Sequence, residues 1–241
     1  MGEAIFAVIA DLHGNLPALE AVLADIRRRG VARIYCAGDL VGYGPWPNEV
    51  IERVREENIL TVLGNYDDAV AWLRPVCGCD YPDEKSRVIG EHSLLWTARE
   101  VWEENVAWLR QLPASLRWQE GKREVLLVHG SPRSLNEYLL PEKGPDFFQE
   151  IKTQAGADIL IAGHTHRPYH LRLEEVNIIN AGSVGRPKHG NPNATYVLIT
   201  VGEQVKVDII EVPYDVERTA AQIVKAGLPP ELADFLRRGG W

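Results

Sequence analysis

The sequence predicts an α/β fold built around a parallel sheet, and three observations carry that reading. Apolar runs alternate with amphipathic helical stretches over the first 64 residues, further strand-like runs recur after residue 123, and no repeat, low-complexity tract or interdomain linker breaks the chain. Two strands joined by a helix pair in parallel through a right-handed crossover, so a βαβαβ opening requires one sheet with helices laid against it.

Residues 4–10 form a short continuous apolar run, the pattern of a strand buried on both faces. Pro17 stands at a helix start, where its missing N–H costs nothing, and leads into the amphipathic stretch ALEAVLADIRRRG. Residues 33–37 read as a second strand, 48–57 as a helix, and 59–63 as a third strand ending at Gly64. Residues 67–113 read as mostly helical. Leu95, Ala98, Trp102, Val106 and Leu109 fall there on one helical face, with Trp72, Trp96 and Trp108 nearby. The loop at 75–82 is the least regular part. Residues 124–128, 159–162, 176–179, 194–201 and 205–212 then read as strands, several of the late ones antiparallel. The expected organisation is a single domain over 1–241, with a helical insert at about 67–113 and a helical tail from about 215.

With 241 residues, 45% of them hydrophobic, the chain can bury one sizeable core. A formal charge of -8 argues against a broad basic surface for nucleic acid or anionic membrane. Any anionic substrate then needs a local source of positive charge. The opening MGEAIFAVIADLHG lacks a basic n-region and turns polar at Asp11, so it reads as neither a signal peptide nor a membrane span. Three cysteines, Cys36, Cys77 and Cys79, fit a reducing compartment, and a cytoplasmic location is expected. Cys77-Gly78-Cys79 has no partner cysteines and reads as a loop.

The chemistry gathers where strands end. The first ends in Asp11-Leu12-His13-Gly14-Asn15, the second in Gly38-Asp39, the third in Gly64-Asn65; later runs end in His129 and in His164-Thr165-His166. Ligands of open α/β sheets collect at the carboxyl ends of strands, so these side chains can converge although they are far apart in sequence. Alternation in Asp11-x-His13 and His164-x-His166 sends both outer side chains of each pair to one side. Each residue alone has an ordinary reading: Asp11 and Asp39 as turn formers, Asn65 as a helix cap, His129 as a satisfied buried histidine. Five strand ends of one kind favour a shared metal site. Two Asp, four His and one Asn suit Mn, Fe, Zn or Ni, and seven ligands exceed the need of one ion, so two divalent ions are expected.

The ordered motifs Asp11-x-His13, Gly38-Asp39, Gly64-Asn65, His129 and Gly163-His164-x-His166 resemble the D-x-H, G-D, G-N-H-D/E, lone H and G-H-x-H order of the calcineurin-like metallophosphoesterases, with a phosphodiesterase-like character, over about residues 4–211. The resemblance implies a four-layer αββα sandwich of two mixed β-sheets flanked by helices. It also implies that Asp11, His13 and His166 hold one metal, that Asn65, His129 and His164 hold the other, and that Asp39 bridges both, the ions lying roughly 3.5–4 Å apart. The implied activity is hydrolysis of phosphate esters, phosphodiesters preferred, by in-line attack of a metal-bridging hydroxide, with Asp39, Asn65 and His129 at its centre. Two dications beside two carboxylates leave the site positive enough for a phosphate-ester substrate.

This sequence departs from the family at Tyr66, where the pattern carries a histidine that helps protonate the leaving oxygen. A tyrosine, with an ordinary pKa near 10, is a poorer general acid at neutral pH, and reads equally as a wall of the pocket. The stretch 180–186 resembles the family's late N-P-G-S loop and puts Ser183 and Arg186 forward, with Asn65, as substrate contacts; a plain turn with a solvated arginine is the other reading. His92 and the tryptophan-rich helices form either a lid or core, and His170 and His189 carry no pattern. A protein phosphatase, a dinucleoside polyphosphate hydrolase and a non-catalytic metal-binding scaffold remain as alternatives, and the oligomeric state is not legible.

Overall fold

The computed structural model describes residues 3–240. In chain order the elements begin with β1 (Ala4–Ile9), α1 (Leu16–Arg28), β2 (Ile34–Cys36), α2 (Pro47–Glu56), β3 (Leu60–Thr61) and α3 (Asn65–Ala71). Then come α4 (Glu84–Glu100), α5 (Glu103–Leu109), β4 (Ser115–Glu120), β5 (Arg123–Val128), α6 (Gly144–Ala155) and β6 (Ile159–Ala162). The chain closes with β7 (Tyr169–Leu173), β8 (Val176–Asn180), β9 (Ala194–Val201), β10 (Val205–Val212), α7 (Val216–Lys225) and α8 (Glu231–Arg238).

Two five-stranded mixed sheets result, ordered β10-β9-β1-β2-β3 and β4-β5-β6-β8-β7. In the first, β1, β2 and β3 run parallel and β9 and β10 antiparallel. In the second, β5, β6 and β8 are parallel and the edges β4 and β7 antiparallel. Period-two alternation on β1 explains the layering. Phe6 and Val8 face the second sheet and meet Val125, Leu127, Ile159 and Ile161, while Ala7 and Ile9 face Leu19, Val22 and Ile26 of α1. Phe148, Ile151 and Ala155 of α6 cover the outer face of the second sheet. The stack is helices, sheet, sheet, helices, the expected αββα sandwich. Among the described residues no helix is long and apolar enough to cross a membrane.

Three elements are not announced by the patterning: the edge strands β4 and β7, half-exposed along their length, and α6. The helical face expected through Leu95, Ala98, Trp102, Val106 and Leu109 is corrected. The chain turns extended at Val101 between α4 and α5, and Leu95 and Trp102 are 55% and 47% exposed. The buried face of α4 is Ser86, Ile89, Gly90, Ser93, Leu94 and Thr97, a helical stripe built largely from small and polar residues. Ser93 belongs inside because its Oγ accepts the Tyr43 backbone N–H at 2.7 Å.

Candidate metal centre

The loops that follow β1, β2, β3, β5 and β6 meet between the sheets. They are tied by backbone hydrogen bonds from Asp11 N to Gly38 O, His13 N to Asp39 O, and Gly163 N to His129 O. Asp11, His13, Asp39, His164 and His166 all have φ between 44° and 65°. This left-handed region is uncommon for residues with a Cβ, and held strain of this kind clusters at functional sites. The Asp67 carboxylate over-determines the Asp39 turn, accepting from Asp39 N and Leu40 N at 2.8 Å each and from Gly64 N at 3.0 Å. Gly64 must lack a side chain, because a Cβ there would run into the carboxylate of Asp39.

All seven sequence-predicted ligands are buried and converge. Asp11, His13 and His166 form one group and Asp39, His129 and His164 another, the candidate ligand atoms within each lying within 4.8 Å of one another. Asp39 Oδ2 is 3.7 Å from His13 Nε2 and 3.5 Å from His129 Nε2, so it stands between the groups. Asn65 Oδ1 joins the second, 2.9 Å from His129 Nε2.

The hydrogen bonds behind these rings decide where their lone pairs point. A backbone carbonyl only accepts, so His13 Nδ1, His129 Nδ1 and His166 Nδ1 must donate to Val41 O, Ala37 O and Arg186 O at 2.8, 2.7 and 2.5 Å. Their Nε2 lone pairs then face inward, and His13 Nε2 and His166 Nε2 look at each other across 3.2 Å. The same holds between His129 Nε2 and Asn65 Oδ1, since Asn65 Nδ2 is spent on Cys77 O at 2.9 Å. His164 is reversed: its Nε2 donates to Asn136 O at 3.1 Å, which leaves Nδ1 as the ligating atom. Asp11 Oδ1 is buried with no hydrogen-bond partner. Opposed lone pairs and an orphaned carboxylate oxygen suit cations between them, and imidazole nitrogen with carboxylate and amide oxygen suits divalent transition metals.

The electrostatics agree. Burial lowers the pKa of His13, His164 and His166 well below the usual value and that of His129 to about 4, keeping all four rings neutral. Burial raises Asp39 well above the carboxylate range; Asp11 is raised by burial and then by Asp39. Two carboxylates so disfavoured as anions are what a pair of dications would relieve.

Tyr66 is 1% exposed; its ring meets His13 edge-on at 5.4 Å and its hydroxyl lies 3.0 Å from that of Tyr81. Burial pushes this hydroxyl well above its ordinary pKa. Ser183, put forward as a substrate contact, sits behind Asp11 and Arg186. It is fully buried, and its Oγ donates to Asp11 O and accepts from Arg186 N, both at 2.8 Å. Arg186 is buried as well, its guanidinium 4.1 Å over the Tyr43 ring. His92 lines a groove with Val88, Trp96 and Leu228, and Trp96 Nε1 donates to Ala226 O of the C-terminal tail. What reaches the centre from this region is the Cys77–Tyr81 loop, through Asn65 and Tyr66. His170 pairs with Asn177, and His189 lies near Glu211. Sequence reasoning leaves out Asp67, Tyr81 and the half-buried Lys188, whose pKa burial and Arg186 lower to about 8. Only the acidic residue two places after Asn65 signals any of them.

An αββα sandwich with paired Asp and His clusters at the carboxyl ends of its strands defines a class of metallohydrolases. The chain belongs to the calcineurin-like phosphoesterases: the family profile described as the calcineurin-like phosphoesterase superfamily domain matches residues 5–204. It is 34% identical to a metallophosphoesterase of Sphaerobacter thermophilus of known structure, with a TM-score of 0.78 and 98% of each chain covered. A hypothetical protein of Pyrococcus horikoshii shares 28% identity with a TM-score of 0.85, again over 98% of each chain. The Escherichia coli phosphodiesterase YfcE is 27% identical over 79% of this chain and 84% of its own.

Proposed function

We propose that the protein is a dinuclear metal-dependent phosphoesterase that prefers phosphodiesters, with one catalytic domain over residues 1–241. The observation that carries this reading is the pair of inward-facing ligand groups on either side of Asp39. Two divalent ions of Mn, Fe, Zn or Ni character, when bound, supply Lewis acidity at the phosphoryl oxygens and lower the pKa of a water in the site. Asp11, His13 and His166 would hold one, and Asn65, His129 and His164 the other. Asp39, whose Oδ2 lies between the two groups, would serve both. Burial keeps the imidazoles neutral, so their lone pairs stay available for ligation at neutral pH.

The guanidinium of Arg186 and the ammonium of Lys188 add positive charge near these carboxylates, where the anionic oxygens of an ester need it. Tyr66 supplies a wall and a hydrogen bond rather than a proton, since burial makes its hydroxyl a weaker acid still. Esters whose leaving groups depart with little acid assistance are then favoured, and the likeness to a phosphodiesterase supports diesters among them. Three free thiols support a reducing, cytoplasmic setting.

Elemental analysis with anomalous diffraction tests the metal reading: two ions flanking Asp39 are expected, and a fully loaded protein with one ion overturns it. A metal-reconstituted screen of aryl diesters, monoesters, dinucleoside polyphosphates and phosphopeptides tests the activity. Faster turnover of monoesters overturns the diester preference, and hydrolysis of none points to a binding scaffold.

A further inference from the structure

Cys36 is sealed in the core, whereas Cys77 and Cys79 share one turn against the second ligand group. Their sulfurs are 2.9 Å apart, joined through Gly78 at φ 74°, a conformation that glycine adopts freely. A disulfide requires about 2.03–2.05 Å, so the sulfurs have less than about 1 Å still to close. A cavity of about 210 Å³ opens on both thiols, walled in part by Val76, Tyr81 and Leu94. That is several times the roughly 30 Å³ share of a water molecule, and it admits a small peroxide.

This turn backs one ligand group. Asn65 Nδ2 donates to Cys77 O at 2.9 Å and to Cys79 Sγ at 3.2 Å, which aims Oδ1 at His129. Gly78 O accepts from Asn136 Nδ2 at 3.0 Å, and Asn136 O accepts from His164. Behind the other group stand different residues: Val41 O and Arg186 O hold His13 and His166, and Ser183 braces Asp11.

We propose that Cys77 and Cys79 are a reversible redox pair, closed by a hydroperoxide, whose closure loosens the ion held by Asp39, Asn65, His129 and His164. The loosening rests on the dinuclear reading; the disulfide does not. In the first step one thiol takes an oxygen from the peroxide and becomes a sulfenic acid, and the other peroxide oxygen leaves as water (or as an alcohol from an organic peroxide). In the second, the remaining thiol attacks that sulfur, the S–S bond forms and the sulfenic hydroxyl leaves as water with the thiol proton. Two electrons pass from the sulfurs to the peroxide. Closure turns Cys79 Sγ away from Asn65 and shifts Cys77 O, so the amide loses what aims it. Outer partners of this kind are worth about 10–100-fold in metal affinity.

Manganese-loaded protein treated with hydrogen peroxide, then alkylated and mapped by mass, tests the pair, and metal analysis after desalting tests the release. The expected result is a peptide over 77–79 lighter by two hydrogens and closed to alkylation, with metal falling from two ions per chain to one and dithiothreitol with fresh manganese restoring both. Thiols that stay open to alkylation, or that go on to sulfinic acids, overturn the pair. A disulfide formed with both ions retained at unchanged affinity overturns the release. In Cys79→Ser, peroxide should leave the metal content unchanged; loss of an ion there puts the damage elsewhere and overturns the coupling. Fewer than two ions before peroxide is added refutes the dinuclear reading and the release with it, while the disulfide is judged by mass alone.

Discussion

Asp39 is the residue on which both ligand groups depend. Its Oδ2 lies between them and its Oδ1 accepts from Tyr66 N at 2.8 Å. Asp39→Asn keeps an oxygen for Tyr66 but removes the negative charge, so hydrolysis should fall by more than the roughly 10–100-fold that loss of an outer partner costs. The metal-free variant should be more stable than the parent near pH 7. The folded pKa of Asp39 is raised, which penalises its anion there, and asparagine removes that penalty. Urea unfolding of both apo proteins checks this; a lower midpoint for the variant would contradict it. Burial and then Asp39 raise the Asp67 carboxyl to about 7 as well, but its oxygens accept the backbone N–H groups of Asp39, Leu40 and Gly64. Asp67→Asn should therefore act in the opposite sense, costing about 1–3 kcal/mol by the same measurement, because an amide nitrogen would face some of those N–H groups. Tyr66→His should flatten the dependence of log kcat/KM on leaving-group pKa, with gains of up to about 10²–10⁴-fold on the poorest leaving groups. Equal slopes in both proteins would leave Tyr66 as a wall alone. The seven ligands were legible because each stands at the end of an apolar run, whereas Tyr81 and Lys188 lie in irregular loops where no spacing marks them, and the place of Asp67 two residues after Asn65 does not reveal that it holds the remote Asp39 turn.

Among the elements, strands buried on both faces were legible to within a residue or two, since their apolar runs have no other reading. The edge strands β4 and β7 lack that signal. On α4 the apolar pattern pointed to the wrong stripe, because Ser93, Thr97 and Gly90 are buried by what they touch: Gly90, for one, lies against the Tyr81 ring. The attachment of α1 to β9 yields a pH prediction. Burial pushes the Asp25 carboxyl up, but hydrogen bonds from the Tyr196 hydroxyl at 2.6 Å and from Arg29 at 2.7 Å outweigh it and hold the pKa below the usual value. A depressed carboxyl stabilises the fold fully above its unfolded pKa, about 3.9, and that contribution is lost as pH falls through the lower folded value. Asp25→Asn should therefore unfold more readily than the parent at neutral pH, with the difference shrinking below about pH 4. Thermal melts across that range would show it, and a constant difference would count against it.

For the whole molecule, ions that bind only the folded chain stabilise it by mass action, about 2.7 kcal/mol at a hundredfold excess over Kd. In a protein of this length each kcal/mol moves Tm by about 2–4 °C, so adding manganese to chelator-treated protein should raise Tm by about 5–10 °C for each ion bound at that excess. No shift would mean that the clusters bind no manganese. The left-handed backbone at Asp11, His13, Asp39, His164 and His166 has a consequence over generations rather than over a melting curve. Each such residue costs on the order of 1–3 kcal/mol, which only its side chain's task justifies. In a lineage that no longer hydrolyses anything, glycine or asparagine at these five positions would be gains in stability, so drift would erase them early. Asn65 and His129, which lie outside that strained set, would linger as the last trace of the lost chemistry.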